Sequence, residues 1–209
     1  MAEAKIMTMM GVDLPIMEDF YTIQGEGFHS GAPAYFIRLG GCDVGCNWCD
    51  VKESWDAEAH PLCSIDTILE KVKQSGSPLA IITGGEPLMY DMAPLCGALK
   101  ASGIKTNIET SGAYELSGEW DWICLSPKRR KAPVASVCEK ANELKVVIFR
   151  ERDLEWAEEQ AVKVNADCRL YLQPEWSKEK EMLPIIIEYA KKHPRWNISL
   201  QTHKYMDIP

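Results

Sequence analysis

Short apolar runs typical of β-strands alternate along this chain with longer segments whose apolar residues recur at helical spacing. Predicted strands are Ala34–Leu39, Leu79–Thr83, Ile104–Glu109, Trp122–Leu125, Leu144–Ile148, Arg169–Leu172 and Asn197–Leu200. Predicted helices are Ser64–Gln74, Asp91–Ala101, Asp153–Val162 and Ser177–Lys192. Such alternation favours parallel strands joined by right-handed helical crossovers, and uninterrupted apolar strands are typical of a sheet covered on both faces.

The number of predicted elements limits how far such a sheet can close. Seven strands and four helices are too few for a complete eightfold barrel in 209 residues. We therefore predict an α/β fold, an abbreviated partial (β/α) barrel with mostly parallel strands, in a single domain over residues 1–209. The first helix should begin at Ser64 and end before Gly76. In such a fold, the catalytic and binding residues should lie at the carboxyl ends of the strands.

Charge and hydropathy exclude several function classes. Lys and Arg total 23 against 31 Asp and Glu, a formal net charge of -8. Binding to large nucleic acids depends on neutralising phosphates, so this acidic balance argues against them as substrates. The sequence contains no apolar run near the ~18 residues needed to cross a bilayer and no N-terminal targeting pattern. A cytoplasmic protein is expected.

Three of the eight cysteines lie close together in a glycine-rich loop that follows the first predicted strand. Cys42, Cys46 and Cys49 can converge only if the backbone turns tightly, which glycine permits. A structural zinc site usually takes four ligands as two separated pairs, and no second pair follows. Three thiolates on a four-iron cluster instead leave one iron open to a cofactor. Chance proximity of three buried thiols is the alternative.

This Cys-x-x-x-Cys-x-x-Cys pattern resembles the signature of the radical S-adenosylmethionine (SAM) enzymes, whose fold is a partial or full (β/α) barrel. The resemblance implies that the three cysteines hold a 4Fe–4S cluster and that Trp48 packs near the adenine of SAM. The segment Thr83–Pro87, with the sequence TGGEP, resembles the glycine-rich motif of the same enzymes. There the backbone and Glu86 are expected to hold the amino group of SAM.

Further segments narrow the resemblance to one family of radical SAM enzymes. They are Phe20–Gly27 (FYTIQGEG), Ser126–Lys128 (SPK), Gln173–Trp176 (QPEW), Gln201–Lys204 (QTHK) and the final Pro209. Together with the cysteine loop they resemble the 7-carboxy-7-deazaguanine synthase family, over about residues 20–209. The family reaction converts 6-carboxy-5,6,7,8-tetrahydropterin to 7-carboxy-7-deazaguanine with loss of ammonia, for queuosine or other 7-deazapurines. The resemblance implies that a radical derived from SAM abstracts a hydrogen from the substrate and that SAM is regenerated.

The resemblance also implies roles for individual residues. Arg38 would pair with the substrate carboxylate, Gln24 and Glu26 would read its hydrogen-bonding edge, and the free carboxylate of Pro209 would reach it. Substrate contacts are expected from Ile23, Gln24, Gly25, Glu26, Arg38, Thr83 and Pro209. SAM contacts are expected from Trp48, Gly84, Gly85, Glu86, Ser126, Pro127, Lys128, Gln173, Pro174, Glu175 and Trp176.

One position departs from the family pattern. The family commonly has Thr after Cys-Asp, where the hydroxyl helps to hold Mg²⁺, but this chain has Val51. Mg²⁺ remains an expectation of the resemblance without a named side-chain ligand. Homodimerisation and a flavodoxin-like reductant are further expectations of the same kind.

Other interpretations remain open at this stage. A small radical SAM activating enzyme that acts on a protein partner would share the cysteine loop and the TGGEP segment. A non-enzymatic iron–sulfur or zinc module would bind no SAM. Trp48 and Arg38 also have structural alternatives, as a core residue and a surface ion pair. In the basic run Lys128–Lys131, the three residues after Lys128 are interpreted as a solvated face.

Overall fold

A computed structural model describes residues 13–46 and 49–209. Its centre is one nine-stranded sheet with the strand order β3-β1-β2-β4-β5-β6-β7-β8-β9. The strands are β1 (Asp13–Ile23), β2 (Pro33–Leu39), β3 (Leu62–Ser64), β4 (Leu79–Gly84), β5 (Lys105–Thr110), β6 (Trp122–Leu125), β7 (Glu143–Ile148), β8 (Arg169–Pro174) and β9 (Trp196–Ile198). Strands β3 and β9 form the two edges, so the barrel is partial, as predicted.

Every neighbouring pair from β2 to β9 is parallel. Strand β1, which the sequence patterns did not predict, instead pairs antiparallel with β2 and with the short β3. Two features conceal it: Pro15 interrupts the strand pattern, and the register shifts between Ile16 and Glu18. Proline is tolerated in strands at edges and bulges. The prediction of mostly parallel strands is confirmed, with this antiparallel margin added.

The helices are α1 (Ile65–Ser75), α2 (Ala93–Ala101), α3 (Ala135–Lys140), α4 (Asp153–Ala161), α5 (Glu179–Lys192) and α6 (Thr202–Met206). Helix α1 has the predicted ends, because the Ser64 hydroxyl accepts a hydrogen bond from the Thr67 N–H and Gly76 takes φ 69°. Helices α3 and α6 were not predicted, since each is too short to show a full helical period.

The two faces of the sheet differ in chemistry. Ile37 and Ile82, on the outer face, pack with Ile68, Val72 and Leu95 from α1 and α2. A second apolar cluster joins β5–β9 to the later helices. The inner face instead presents polar side chains to a central pocket, from Arg38, Thr83, Glu109, Lys145 and Gln173. That face is not polar throughout, because Ala34, Phe36, Leu79 and Ile81 form a small buried apolar cluster at the start of β2 and β4. The polar side chains of the pocket lie nearer the carboxyl ends of the same strands.

The helices are short relative to the thickness of a bilayer. Helix α5 has 14 residues, fewer than the ~20 that a membrane-crossing helix needs. Among residues 13–46 and 49–209, no helix has both the length and the apolar character required to cross a membrane.

Candidate active site

One pocket, where the parallel strands end at their carboxyl side, brings together nearly all the residues singled out by sequence. The predicted residues that line it are Ile23, Gln24, Gly25, Glu26, Arg38, Cys42, Cys46, Cys49, Thr83, Gly84, Gly85, Glu86, Ser126, Lys128, Gln173, Pro174, Glu175, Trp176 and Pro209. Pro127 is not among the lining residues. Trp48 lies outside the described residues.

The three loop cysteines are unpaired, half-buried thiols on one wall of this pocket. Within the described part of the chain, no group of three or more Cys, His, Asp or Glu side chains could hold one metal ion. A four-iron cluster does not need its thiolates to converge on one ion, because each thiolate binds a separate iron. Burial raises the pKa of Cys42 and of Cys46, so metal binding would have to displace their protons.

The cysteine loop is anchored at its start and near its middle. At its start, Gly41 has φ 95°, and a Cβ there would lie 2.2 Å from the Tyr90 hydroxyl, which donates to the Gly40 carbonyl at 2.8 Å. Further along, the Arg130 guanidinium donates to the Gly45 carbonyl at 2.6 Å. These contacts restrain the loop backbone that carries the thiols.

The basic run contributes to the same bracing. Lys131 forms an ion pair with Asp43, in the cysteine loop, at 2.9 Å, and Tyr114 also donates to that carboxylate at 2.5 Å. Arg129 pairs with Asp153 at 3.0 Å. Arg129 and Arg130 are exposed and Lys131 is half-buried, so the three residues lie at the surface, as interpreted, while making these contacts.

Gly84 and Gly85 are required by the packing of the chain against itself. The Gly85 N–H donates to the Leu39 carbonyl, and the Glu86 N–H donates to the Gly41 carbonyl, both at 2.8 Å. A Cβ on Gly85 would lie 2.1 Å from that Gly41 oxygen. The glycines thus dock the end of β4 on the base of the cysteine loop, while still lining the pocket.

The Glu86 side chain is 1 % exposed and is heavily engaged within the protein. One carboxylate oxygen accepts from the Leu88 N–H at 3.1 Å and the Thr110 hydroxyl at 2.5 Å. The other accepts from both the N–H and the hydroxyl of Ser111. A carboxylate offers about four lone-pair positions. An ammonium group from SAM would have to displace or share one of these donors.

A charged network, of which the sequence indicated only part, also lines the pocket. Lys145 forms an ion pair with Glu26, and its Nζ lies 3.7 Å from a Glu109 oxygen. Gln24 donates to Glu109 at 2.8 Å, and Gln201 donates to Glu26 at 2.8 Å. Sequence analysis gave no role to Glu109 or Lys145. The available signal was Glu and Lys at alternate positions of an otherwise apolar β7.

Arg38 borders the pocket and has one partner in the protein. Its guanidinium Nε lies 2.7 Å from a Glu18 oxygen, across the β1–β2 pair. The side chain is 21 % exposed, so it remains accessible from the pocket. Five N–H donors on a guanidinium allow a second carboxylate to be bound beside Glu18.

The last residues of the sequence close one side of the pocket. The Thr202 N–H and hydroxyl both donate to the Gly25 carbonyl, at 2.9 and 3.0 Å. A Cβ on Gly25 would lie 2.3 Å from the His203 ring. His203, which sequence analysis left unassigned, lines the pocket with Pro209. Burial lowers the pKa of His203, which favours its neutral form.

Among the residues that the structure describes, those around Val51 do not form a magnesium site made of protein ligands alone. Val51 lines the pocket without a side-chain oxygen, and its carbonyl accepts from the Ser54 hydroxyl at 2.7 Å. Asp50 is the acidic residue beside it. Mg²⁺ prefers an octahedral shell of oxygens, and these residues supply too few of them.

Comparison with known proteins adds independent findings. The profile of the Radical SAM superfamily matches residues 36–120. A 7-carboxy-7-deazaguanine synthase of Flavobacterium psychrophilum is 55 % identical over 99 % of this chain and 98 % of its own. The synthase of that name from Synechocystis sp. is 46 % identical, with both chains fully covered. The crystal structure of QueE from Escherichia coli matches with a TM-score of 0.82 and 31 % identity, covering 94 % of this chain and 97 % of that one.

Proposed function

Because the chain belongs to the 7-carboxy-7-deazaguanine synthase family of radical SAM enzymes, we propose that the pocket described above holds cluster, SAM and pterin together. The chain is a lyase that converts 6-carboxy-5,6,7,8-tetrahydropterin to 7-carboxy-7-deazaguanine, with loss of ammonia, in queuosine biosynthesis. One observation carries the residue assignment: the three thiols and a charged hydrogen-bonding network line the same pocket. A protein partner as substrate is not favoured.

The cluster wall consists of Cys42, Cys46 and Cys49, whose three thiolates would leave one iron for SAM. When bound, the reduced cluster and SAM supply the radical that removes a hydrogen from the substrate. The protein's task is to orient SAM and exclude water. The residues proposed to contact SAM are Trp48, Gly84, Gly85, Glu86, Ser126, Pro127, Lys128, Gln173, Pro174, Glu175 and Trp176.

The substrate wall consists of groups suited to a carboxylated pterin. Arg38 would bind the substrate carboxylate through the donors that Glu18 leaves available. Gln24 and Glu26 would pair with the ring's hydrogen-bonding edge, with Ile23, Gly25 and Thr83 beside them. A carboxylate at Pro209 would add a further contact. His203 and Glu109 join this proposal because both line the same pocket.

Several finer features complete the proposal. We propose a single domain over residues 1–209, a homodimer, a flavodoxin-like reductant and a cytoplasmic location. Mg²⁺ enters only as an ion held by backbone, substrate and water, because Val51 offers no side-chain oxygen, and no step above depends on it.

The deciding experiment is an anaerobic turnover assay. The protein is reconstituted with iron and sulfide, reduced, and supplied with SAM and 6-carboxy-5,6,7,8-tetrahydropterin, and the products are followed by mass. We expect a product lighter by ammonia, with SAM largely unspent. Cleavage of SAM without loss of the pterin would contradict the substrate assignment. An intact cluster with neither molecule changed would contradict the enzymatic function.

A further inference from the structure

The pocket floor contains a lysine that the residue assignment above does not use. The Lys145 side chain is 4 % exposed and projects from the middle of β7. It reaches Glu26, which follows β1, and Glu109 at the end of β5. A buried ammonium is costly unless it is paired and hydrogen-bonded. The burial of Lys145 at the substrate wall therefore requires a functional explanation.

Lys145 stands at the centre of a closed chain of contacts. Glu26 also accepts from Gln201 at 2.8 Å, and its own N–H donates to the Gln24 amide oxygen at 3.0 Å. Gln24 then donates to Glu109 at 2.8 Å. The lysine thus links the two carboxylates, and Gln24 separately connects the Glu109 carboxylate to the backbone of Glu26.

The charges around Lys145 explain why the Glu26 carboxylate stays ionised although it is buried. Burial alone would raise the pKa of Glu26, but the charge and hydrogen bond of Lys145 outweigh it and lower the pKa to about 2. Burial alone would lower the pKa of Lys145, but Glu109 and Glu26 raise it well above its ordinary value. The titratable groups that face this lysine are Glu26, Glu109, Cys124, Lys128, Glu143 and His203.

Glu143 is the carboxyl below this lysine in β7. Burial raises its pKa, and the charge of Lys145 only partly opposes that effect. Its own hydrogen bonds come from Trp122, at 2.9 Å, and the Phe28 N–H, at 3.2 Å. The ammonium of Lys145 is therefore committed to the two carboxylates that line the pocket.

We propose that Lys145 is a positioning residue, which holds Glu26 and Glu109 at one spacing as a pair of carboxylate acceptors for the N–H groups of the pterin ring. This rests on the proposed function, because the ring supplies the donors. Without the lysine, two carboxylates would share a site from which water is excluded, and like charges there disfavour double ionisation. One of them would take up a proton and become a donor that faces the ring's donors.

The test compares wild type, Lys145→Met and Lys100→Met in the anaerobic assay, from mildly acidic to mildly alkaline pH. Lys100 makes an exposed ion pair with Glu119, so its replacement is the same chemical change far from the pocket. For Lys145→Met we expect KM for the pterin to rise about tenfold or more at neutral pH. The ratio of that KM to the wild-type KM should fall as pH rises, because deprotonation restores the acceptor. SAM binding by equilibrium dialysis should be unchanged.

The double variant Lys145→Met/Glu109→Gln removes one carboxylate together with the lysine. Glu26 then ionises without a like charge beside it, so the pH at which the KM ratio improves should move to lower values. This variant also carries the test where Lys145→Met alone does not fold. An equal KM ratio at every pH, or equal losses of pterin and SAM binding, would show a merely structural lysine. Wild type that leaves the pterin unchanged would instead contradict the proposed function.

Discussion

Cys46 is one of three loop cysteines whose position distinguishes them from the other five cysteines of the chain. It lines the pocket with Cys42 and Cys49, whereas Cys96, Cys124, Cys138 and Cys168 are buried and Cys63 is half-buried away from the lining. Free cysteines in a core behave as small hydrophobic residues. The loop thiols have no such packing role, so their loss should affect the cluster before it affects the fold.

Replacing Cys46 with Ala should therefore abolish the brown iron–sulfur colour, or leave a defective cluster that supports no turnover. Iron content, visible absorbance and turnover measure this. Cys63→Ala, also half-buried, is the matched control and should keep full iron content. A Cys46→Ala protein that remains fully active would contradict the assignment of the site.

Arg38→Ala tests the substrate end of the pocket. Charge-assisted hydrogen bonds are worth about 1.5–3 kcal/mol, so KM for the pterin should rise about 10- to 100-fold. SAM binding should be retained. Arg195→Ala, which removes an arginine from an exposed ion pair with Glu158, should leave both quantities unchanged. Unaltered pterin affinity in Arg38→Ala would show that the arginine serves only Glu18.

At the level of secondary-structure elements, the carboxyl ends of β4 and β5 are joined by Glu86, which accepts from Thr110 and Ser111 across the gap. This contact places the glycine pair and the cysteine loop relative to the inner face. If Glu86 only binds SAM, its replacement should leave the stability of the apo protein unchanged. If it also joins the two strands, its replacement should lower that stability.

Glu86→Gln replaces an acceptor oxygen by an NH₂ group, which faces donors that cannot pair with it. We expect the free energy of unfolding of the apo protein to fall by about 1–3 kcal/mol, the cost of unsatisfied buried groups. Urea unfolding without SAM measures this. Glu115→Gln, at an exposed carboxylate that accepts from Ser136, should cost little. Unchanged stability with weaker SAM binding would assign Glu86 to the SAM amino group alone.

Across the full length of the chain, the pocket is completed by contacts between residues near the two ends of the sequence. The segment that follows β1 meets the segment that contains α6, through Thr202 and Gly25 and through Gln201 and Glu26. The absence of a side chain on Gly25 permits this approach, since a Cβ would also lie 2.6 Å from the His203 backbone nitrogen.

Gly25→Ala should displace α6 and open the substrate wall. KM for the pterin should rise about tenfold or more, as expected when buried hydrogen bonds are lost, while the cluster and SAM binding remain. Gly97→Ala is the control, because a Cβ on that helical glycine would meet no atom within 4 Å. Limited proteolysis should cut the last residues faster in Gly25→Ala only. Equal cutting and unchanged KM would refute the role of this contact.

Features that depend on local spacing could be predicted from the amino-acid sequence. The alternation of short apolar strands with amphipathic helices predicted the partial barrel, and Ser64 and Gly76 marked the ends of α1 because capping is local chemistry. The cysteine loop and the glycine pair were also visible, since each motif lies within a few consecutive residues. Strand β1 was missed because its pairing compensates for Pro15 and for its charged residues.

The charged network around Lys145 depends on the tertiary structure. Lys145, Glu109 and Gln201 are far apart in sequence, and nothing local indicates that they meet Glu26. Parallel strands bring distant residues to one inner face, and a buried charge there is retained only where others neutralise it. The tertiary structure likewise showed that the glycine pair serves the packing of the chain against its own cysteine loop. Spacing revealed the motifs, but the electrostatic balance that joins them exists only in the folded molecule.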